Sequence, residues 1–282
     1  MSKYRYVNTR GESIDLCQKP LWVESFNECR SYAYERIEQN GFFFGYQRRR
    51  NAEKPINVQY YQSGRAAFYQ FRDDFYRVTN YDVIGNTYGK LYDGEWYAVG
   101  NFPSEVVTTY DRIRGYWVST LTFCMPTEVW RRDLPSFVFD GDQTSGTVPA
   151  VPLANYPDNY PHGFTSGKLE SSIETDTAFP SPFEMVIFGA CTNPSVTIGG
   201  HIYNVNTTIP AGSRLVINSM TKTIKVYNAQ NVETENAFAL QNHEDDKYVF
   251  EPIPSGVLPV RYQNIPRVIL TVTEERSAAK WS

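Results

Sequence analysis

The sequence holds only three histidines, His162, His201 and His243, and none stands within four residues of another. No local pair is therefore available to grip a transition metal. Its four cysteines, Cys17, Cys29, Cys124 and Cys191, are widely spaced and form no C-x-x-C pair. They read as free, buried thiols of a reducing compartment, not as a disulfide frame or a zinc site. Long apolar runs are also missing: the best, Met185 to Ala190, falls far short of the roughly 18 residues that a spanning helix requires. No apolar core follows the basic residues of the first ten positions, so no secretory leader is expected and synthesis in a cytoplasm is. A basic excess is lacking as well. With 27 Lys+Arg against 31 Asp+Glu the net charge is −4, which excludes a dedicated duplex-DNA binder, since phosphate neutralisation drives that affinity.

What remains is a chain of 282 residues, 41% apolar and 15% aromatic, enough for one large domain or two ordinary ones. Alternation of apolar and polar residues dominates. Tyr4–Val7 and Ser13–Leu16 flank a turn ending in Gly11, and Leu91–Val99 contains an Asp93-Gly94 hairpin signal. Ser195–Ile198 and His201–Val205 are joined by Gly199-Gly200. Leu215–Ile217 and Thr223–Tyr227 bracket another turn, and Arg267–Thr273 alternates as a last strand. One segment departs from this period. Phe68, Phe71, Phe75 and Val78 share one face of a 3.6-residue helix while Arg65, Gln70, Asp73 and Arg77 point elsewhere, so a helix is predicted near residues 64–80. Ser63 reads as its N-cap and Gly85 as its limit.

From Pro135 to Gly167 the texture changes to an irregular connection rich in Pro and Gly, whose only apolar stretch is Phe137–Phe139. The expected organisation is mainly β in two domains: 1–134, a β-domain with the helix, and 135–282, made almost wholly of strands and opening at Phe137–Phe139. No short-period repeat is visible.

The search for chemistry returns little. His201 follows a hairpin and His162 lies in the Pro-rich connection, both suited to packing or surface roles. His243-Glu244-Asp245-Asp246 reads as a solvated acidic loop. Ser166 lacks a nucleophile elbow. Gly41-Phe42-Phe43-Phe44-Gly45 is too bulky for a phosphate loop, and Asp140-Gly141-Asp142 lacks the closing ligands of a calcium loop. The neighbours Asp73-Asp74 and Glu274-Glu275 point apart and cannot straddle a glycosidic bond. Arg48-Arg49-Arg50 reads as a solvated face. No catalytic, cofactor-binding or metal-binding residue is assigned and no cofactor is expected. The aromatics, 21 Tyr, 17 Phe and 5 Trp, suit cores and protein interfaces, and alternatively sugar stacking.

Several stretches, taken in order, carry a resemblance. They are Asn8–Leu16; the helix followed by Asp82, Gly89-Lys90-Leu91 and Trp96-Tyr97; and Tyr156–Phe164 with its Tyr-Pro pairs. In the second half follow Phe183–Gly189, Asn193-Pro194, Gly199–Tyr203, Leu215–Asn218, Thr223–Val226, Phe250–Gly256 and Glu274-Glu275-Arg276 before Trp281. Together they resemble the distal tail protein (Dit) family of long-tailed bacteriophages, over nearly the whole chain. Asn218 stands where that family commonly has Asp, and Ser277-Ala278-Ala279 replaces an expected proline. The resemblance implies an N-terminal ring-forming domain, a β-barrel or sandwich-like fold with one helix, and a C-terminal galectin-like β-sandwich outside the ring. The implied protein is a virion component and not an enzyme: a hexameric baseplate hub joining the tail tube to the tail-tip and host-adsorption apparatus, with DNA passing through unbound. Implied partners are further copies of itself, the tail tube protein, the tail-associated hub protein and receptor-binding proteins, with no membrane contact. The alternative is a carbohydrate-binding β-sandwich module in 135–282 that contacts host cell-wall glycans. The sequence singles out no ring-interface or partner-binding residues.

Overall fold

The structure, a computed structural model, describes residues 4–17, 19–23, 27–39, 42–61, 64–140, 171–177, 179–242, 247–262 and 265–279. They are mainly β. The chain divides into two compact units: Met1–Arg132 with Glu275–Ser282, and Asp133–Glu274. The sequence reading drew one boundary near Leu134 and ran the second domain to the C-terminus. The last eight residues instead count with the first unit, because Glu275 forms ion pairs with Arg48 and Arg131 and Ala279 is buried in the first unit's core.

The first unit contains β1 (Tyr4–Val7), β2 (Ser13–Asp15), β3 (Leu21–Val23), α1 (Asn27–Arg30), β4 (Tyr34–Gln39), β5 (Phe42–Arg48) and β6 (Arg50–Tyr61). It continues with α2 (Arg65–Ile84), β7 (Gly89–Asp93), β8 (Trp96–Asp111), β9 (Tyr116–Thr127) and β10 (Trp130–Asp133). One sheet runs β2-β1-β7-β8-β10 and another β3-β6-β9-β8. β8 belongs to both: Trp96–Gly100 pairs with β7 and Ser104–Asp111 with β9, and the register slips between Asn101 and Ser104 where the strand changes sheets. Side chains of β9 alternate between buried and half-buried, which aims Trp117, Leu121, Phe123 and Met125 at one core.

α2 covers that core. Phe68, Phe75 and Val78 are buried and Phe71 is half-buried, while Arg65, Gln70, Asp73 and Arg77 face water as the periodicity predicts. The helix runs one turn beyond the predicted residue 80 to Ile84, and the Gly85 N–H closes it on the Tyr81 carbonyl. Apolar periodicity misses that turn because its buried side chain is a carboxylate, Asp82. Ser63 lies outside the described residues.

The second unit contains β11 (Phe137–Asp140), β12 (Ser171–Thr175), β13 (Phe183–Phe188), β14 (Cys191–Thr192), β15 (Ser195–Ile198), β16 (His201–Asn204) and β17 (Thr208–Ile209). It is completed by β18 (Arg214–Asn218), β19 (Thr223–Tyr227), β20 (Glu233–Asn236), β21 (Gly256–Tyr262) and β22 (Arg267–Arg276), whose end enters the first unit. One sheet runs β11-β22-β13-β18-β19-β20 and a second β12-β21-β15-β16. Met185, Ile187, Leu215 and Leu270 from one sheet share a buried cluster with Ile173, Val196, Val260 and Tyr262 from the other. The Gly199-Gly200 loop is as predicted: φ is 58° and 93°, the left-handed pair that a two-residue hairpin turn demands. At the β7–β8 hairpin, Asp93 closes the strand opposite Trp96, and the two loop residues are Gly94-Glu95 rather than Asp93-Gly94.

The cysteines are free, but only Cys29 and Cys191 are buried. Cys17, in the bend after β2, is exposed, and Cys124 is half-buried because it takes the outward phase of β9 next to an inward Phe123. Among the described residues no helix is long and apolar enough to cross a membrane.

Candidate functional site

The least expected feature of the first unit is a two-stranded arm. β4 and β5 pair with each other and, among the described residues, with no other strand. Cross-strand pairing of Tyr34 with Arg48 and of Arg36 with Tyr46 puts these side chains on one face. There the Arg36 guanidinium lies 5.1 Å over the Phe43 ring and 2.6 Å from Glu38, while Phe43 meets Tyr46 edge-on at 5.2 Å. Phe44 and Tyr46 are 65% and 67% exposed. A lone hairpin is at best marginally stable in water, and this one spends its largest apolar side chains on solvent.

Its root, in contrast, is held by charge. Lys54 on β6 forms an ion pair with Glu128, and both are buried. Lys54 Nζ also donates to the Ser31 carbonyl at 2.7 Å, and the Ala33 N–H donates to Glu128 Oε2 at 3.2 Å. At the other strand, Arg48 pairs with Glu275, which also accepts from Arg131 Nε at 3.0 Å. Burial raises the Glu275 pKa, but the two guanidiniums outweigh it and hold the carboxyl below its ordinary value. The Tyr34 hydroxyl and Ser277 Oγ lie 2.5 Å apart. These contacts fix where the arm leaves the sheet.

A second apolar surface in the same unit is the outer half of β8. From Ser104 to Asp111 it pairs with β9 alone among the described strands, leaving its other edge free. Val106, Val107 and Tyr110 are exposed along it and Ile113 is 90% exposed at the following turn. Tyr110 is braced by Arg72, 4.8 Å above its ring. Arg72 in turn donates to the Tyr76 hydroxyl, which donates to Glu105 at 2.8 Å.

No protein-family model matches the sequence, and no curated protein matches it. Solved structures do. A chain of the phage P2 baseplate in its activated conformation with Ca superposes with a TM-score of 0.61 at 13% identity, covering 99% of this chain and 100% of that one. The same baseplate with Sr gives 0.60 at 13% identity with the same coverage. The crystal structure of SPP1 Dit (gp 19.1), described as a paradigm of the hub adsorption apparatus in phages that infect Gram-positive hosts, gives 0.55 at 10% identity, covering 98% of this chain and 99% of that one. The chain has the fold of a phage baseplate hub protein.

In this hub fold the residues weighed from sequence scatter. His201 Nε2 lies 2.9 Å from the Tyr248 carbonyl and its ring packs edge-on against Tyr203 at 4.7 Å, a packing position. His162, Ser166 and the stretch His243–Asp246 lie outside the described residues, as do Gly141 and Asp142. Asp140 is 3.1 Å from Arg267 Nε. Asp73 and Asp74 are exposed, and Asp74 is 3.4 Å from Arg77. Among the described residues no group of three or more His, Cys, Asp or Glu is placed to hold a metal. The solvated reading of Arg48-Arg49-Arg50 fails at Arg48, whose partner Glu275 is 227 positions away in sequence. Phe43, Phe44 and Gly45, weighed only as a phosphate loop, turn out to be part of β5.

Proposed function

We propose that the chain is a structural virion protein of a phage tail tip. Its first unit closes with copies of itself, six by resemblance, into a ring that joins the tail tube to the host-adsorption apparatus and lets DNA through. The carrying observation is that this one unit exposes two different apolar surfaces, the β4–β5 arm and the free edge of β8. A closed ring needs such a head-to-tail contact between unlike patches, whereas a two-fold dimer needs one self-complementary patch. Exposed strand edges invite pairing unless they are covered, and aromatic side chains supply most of the energy at protein interfaces. A net charge of −4 also keeps a conduit from gripping phosphate. The second unit is proposed as a galectin-like sandwich, and the tail tube protein, the tail-associated hub protein and receptor-binding proteins as partners. No catalytic role is proposed.

Mass photometry and negative-stain microscopy of the purified chain, alone and with its tail partners, are expected to show closed rings. A strict monomer across concentrations and partners would overturn the proposal. In the Phe44→Ser/Tyr46→Ser variant each lost aromatic anchor costs about 2 kcal/mol of association, so rings disperse at concentrations where the native chain assembles. Because both side chains are exposed, the unfolding midpoint stays unchanged.

A further inference from the structure

Where β3 starts, β6 ends and β9 begins, the first unit holds a cleft of about 370 Å³ lined by Lys19, Trp22, Gln59, Tyr60, Tyr61 and Tyr116. Pockets that take small ligands run from about 300 to 1,000 Å³. Register explains the cleft's chemistry. Trp22 pairs with Gln59 and Tyr61 with Tyr116, while Gln59 and Tyr61 are two positions apart on one strand, so all four side chains emerge on the same outer face. Trp22 is 56% and Tyr61 63% exposed, which leaves flat ring surface turned to solvent.

Tyr60 sits behind the cleft. It is fully buried, its ring stacks on Phe71 at 4.5 Å, and its hydroxyl has no hydrogen-bond partner. A buried polar group left unpaired is costly and uncommon, but by the same alternation Tyr60 turns inward between the outward Gln59 and Tyr61, so its side chain backs the cleft from the core and offers no hydroxyl to its occupant.

The geometry points to this cleft as a saccharide-binding site in the first unit. Aromatic faces stack on the apolar C–H faces of pyranose rings, and sugar hydroxyls both donate and accept. They match the Lys19 ammonium, which only donates, together with the Tyr61 and Tyr116 phenols, which do both. A proline-rich peptide, the other ligand that favours aromatic grooves, offers mainly carbonyl acceptors and would give the Tyr61 and Tyr116 phenol oxygens nothing to accept from. The site is separate from the arm and from the β8 edge, so it stands or falls independently of ring formation.

The test uses the full chain, with cellohexaose, chitohexaose and a proline-rich peptide as probes, followed by calorimetry and by quenching of tryptophan emission. Millimolar or tighter binding of a hexasaccharide is expected. Trp22→Ala and Tyr61→Ala each weaken it about tenfold or more, about 1.4 kcal/mol apiece, without moving the melting temperature. Tyr60→Phe, on the core side of the strand, leaves saccharide binding unchanged while raising the melting temperature of the free chain, because it removes an unpaired buried hydroxyl. Three results would overturn the site: no binding of either saccharide, binding of the peptide alone, or saccharide binding indifferent to both Trp22→Ala and Tyr61→Ala.

Discussion

Asp82→Ala is expected to cost the first unit about 4 kcal/mol, near the top of what a single substitution does. The carboxylate is fully buried and accepts from four donors. These are the Tyr6 hydroxyl at 2.6 Å, the Thr9 N–H at 3.1 Å, the Thr9 hydroxyl at 2.5 Å and the Thr87 hydroxyl at 2.9 Å. It thereby ties the last turn of α2 to the β1–β2 hairpin and to the loop that leads into β7. Truncation leaves the buried Tyr6 hydroxyl only a long 3.5 Å contact to the Gly100 carbonyl, at about 1–3 kcal/mol, and Thr9 and Thr87, nearer the surface, lose charge-assisted bonds of about 1–2 kcal/mol each. Gly89 belongs to the same junction: a Cβ there would sit 2.5 Å from the Val7 carbonyl and 2.6 Å from both Asp82 Oδ2 and Tyr6 Oη. Urea unfolding followed by tryptophan emission reads this unit selectively, since Trp22, Trp96, Trp117 and Trp130 all lie in it. A midpoint within error of the native value would refute the junction's importance.

The same carboxylate gives a pH signature. Burial raises its pKa, but the hydrogen bonds from Thr9, Tyr6 and Thr87 prevail, so it lies below the ordinary value of 3.8 in the folded chain. A group depressed on folding contributes stability that is complete above its unfolded pKa and is lost as pH falls through its folded one. The stability gap between the native chain and Asp82→Asn should therefore be widest above about pH 4 and close in more acid solution. Parallel stability curves for the two proteins down to acid unfolding would contradict this assignment.

How much of this was legible in the sequence follows the reach of each interaction. The β1–β2 and β15–β16 hairpins and the buried face of α2 rest on neighbours a few positions apart, and alternation or helical spacing displays them directly. Asp82 and Gly89 stood out only through family likeness, because Tyr6 and Thr9 lie 76 and 73 positions from Asp82. The arm was hidden for a different reason. Phe43, Phe44 and Tyr46 have the composition of a core strand, and nothing local states that β4 and β5 lack a third strand to cover them. Cys124 shows the reverse error: cysteine is usually buried, and here the phase of β9 overrides that preference and leaves it half-buried.

Charge at the root of the arm should matter almost as much as Asp82, with the opposite logic for paired substitutions. Lys54→Met leaves the Glu128 carboxylate buried without its counter-ion, and breaking such a pair typically costs about 3–5 kcal/mol. Replacing both, in Lys54→Met/Glu128→Leu, removes the stranded charge and is expected to recover most of that loss, since a buried ion pair adds little over apolar residues of similar volume. Stability and placement then separate. The double variant still lacks the bonds from Lys54 to the Ser31 carbonyl and from the Ala33 N–H to Glu128, so the arm loses its seat while the core keeps its packing. Hydrogen exchange in 31–39 and 42–48 should quicken in the double variant even though its unfolding midpoint is near native, and ring assembly should weaken with it. Equal destabilisation by the single and double substitutions would show that the two charges are not coupled. Recovery of stability with unchanged exchange in the arm would show that the pair supports the core alone.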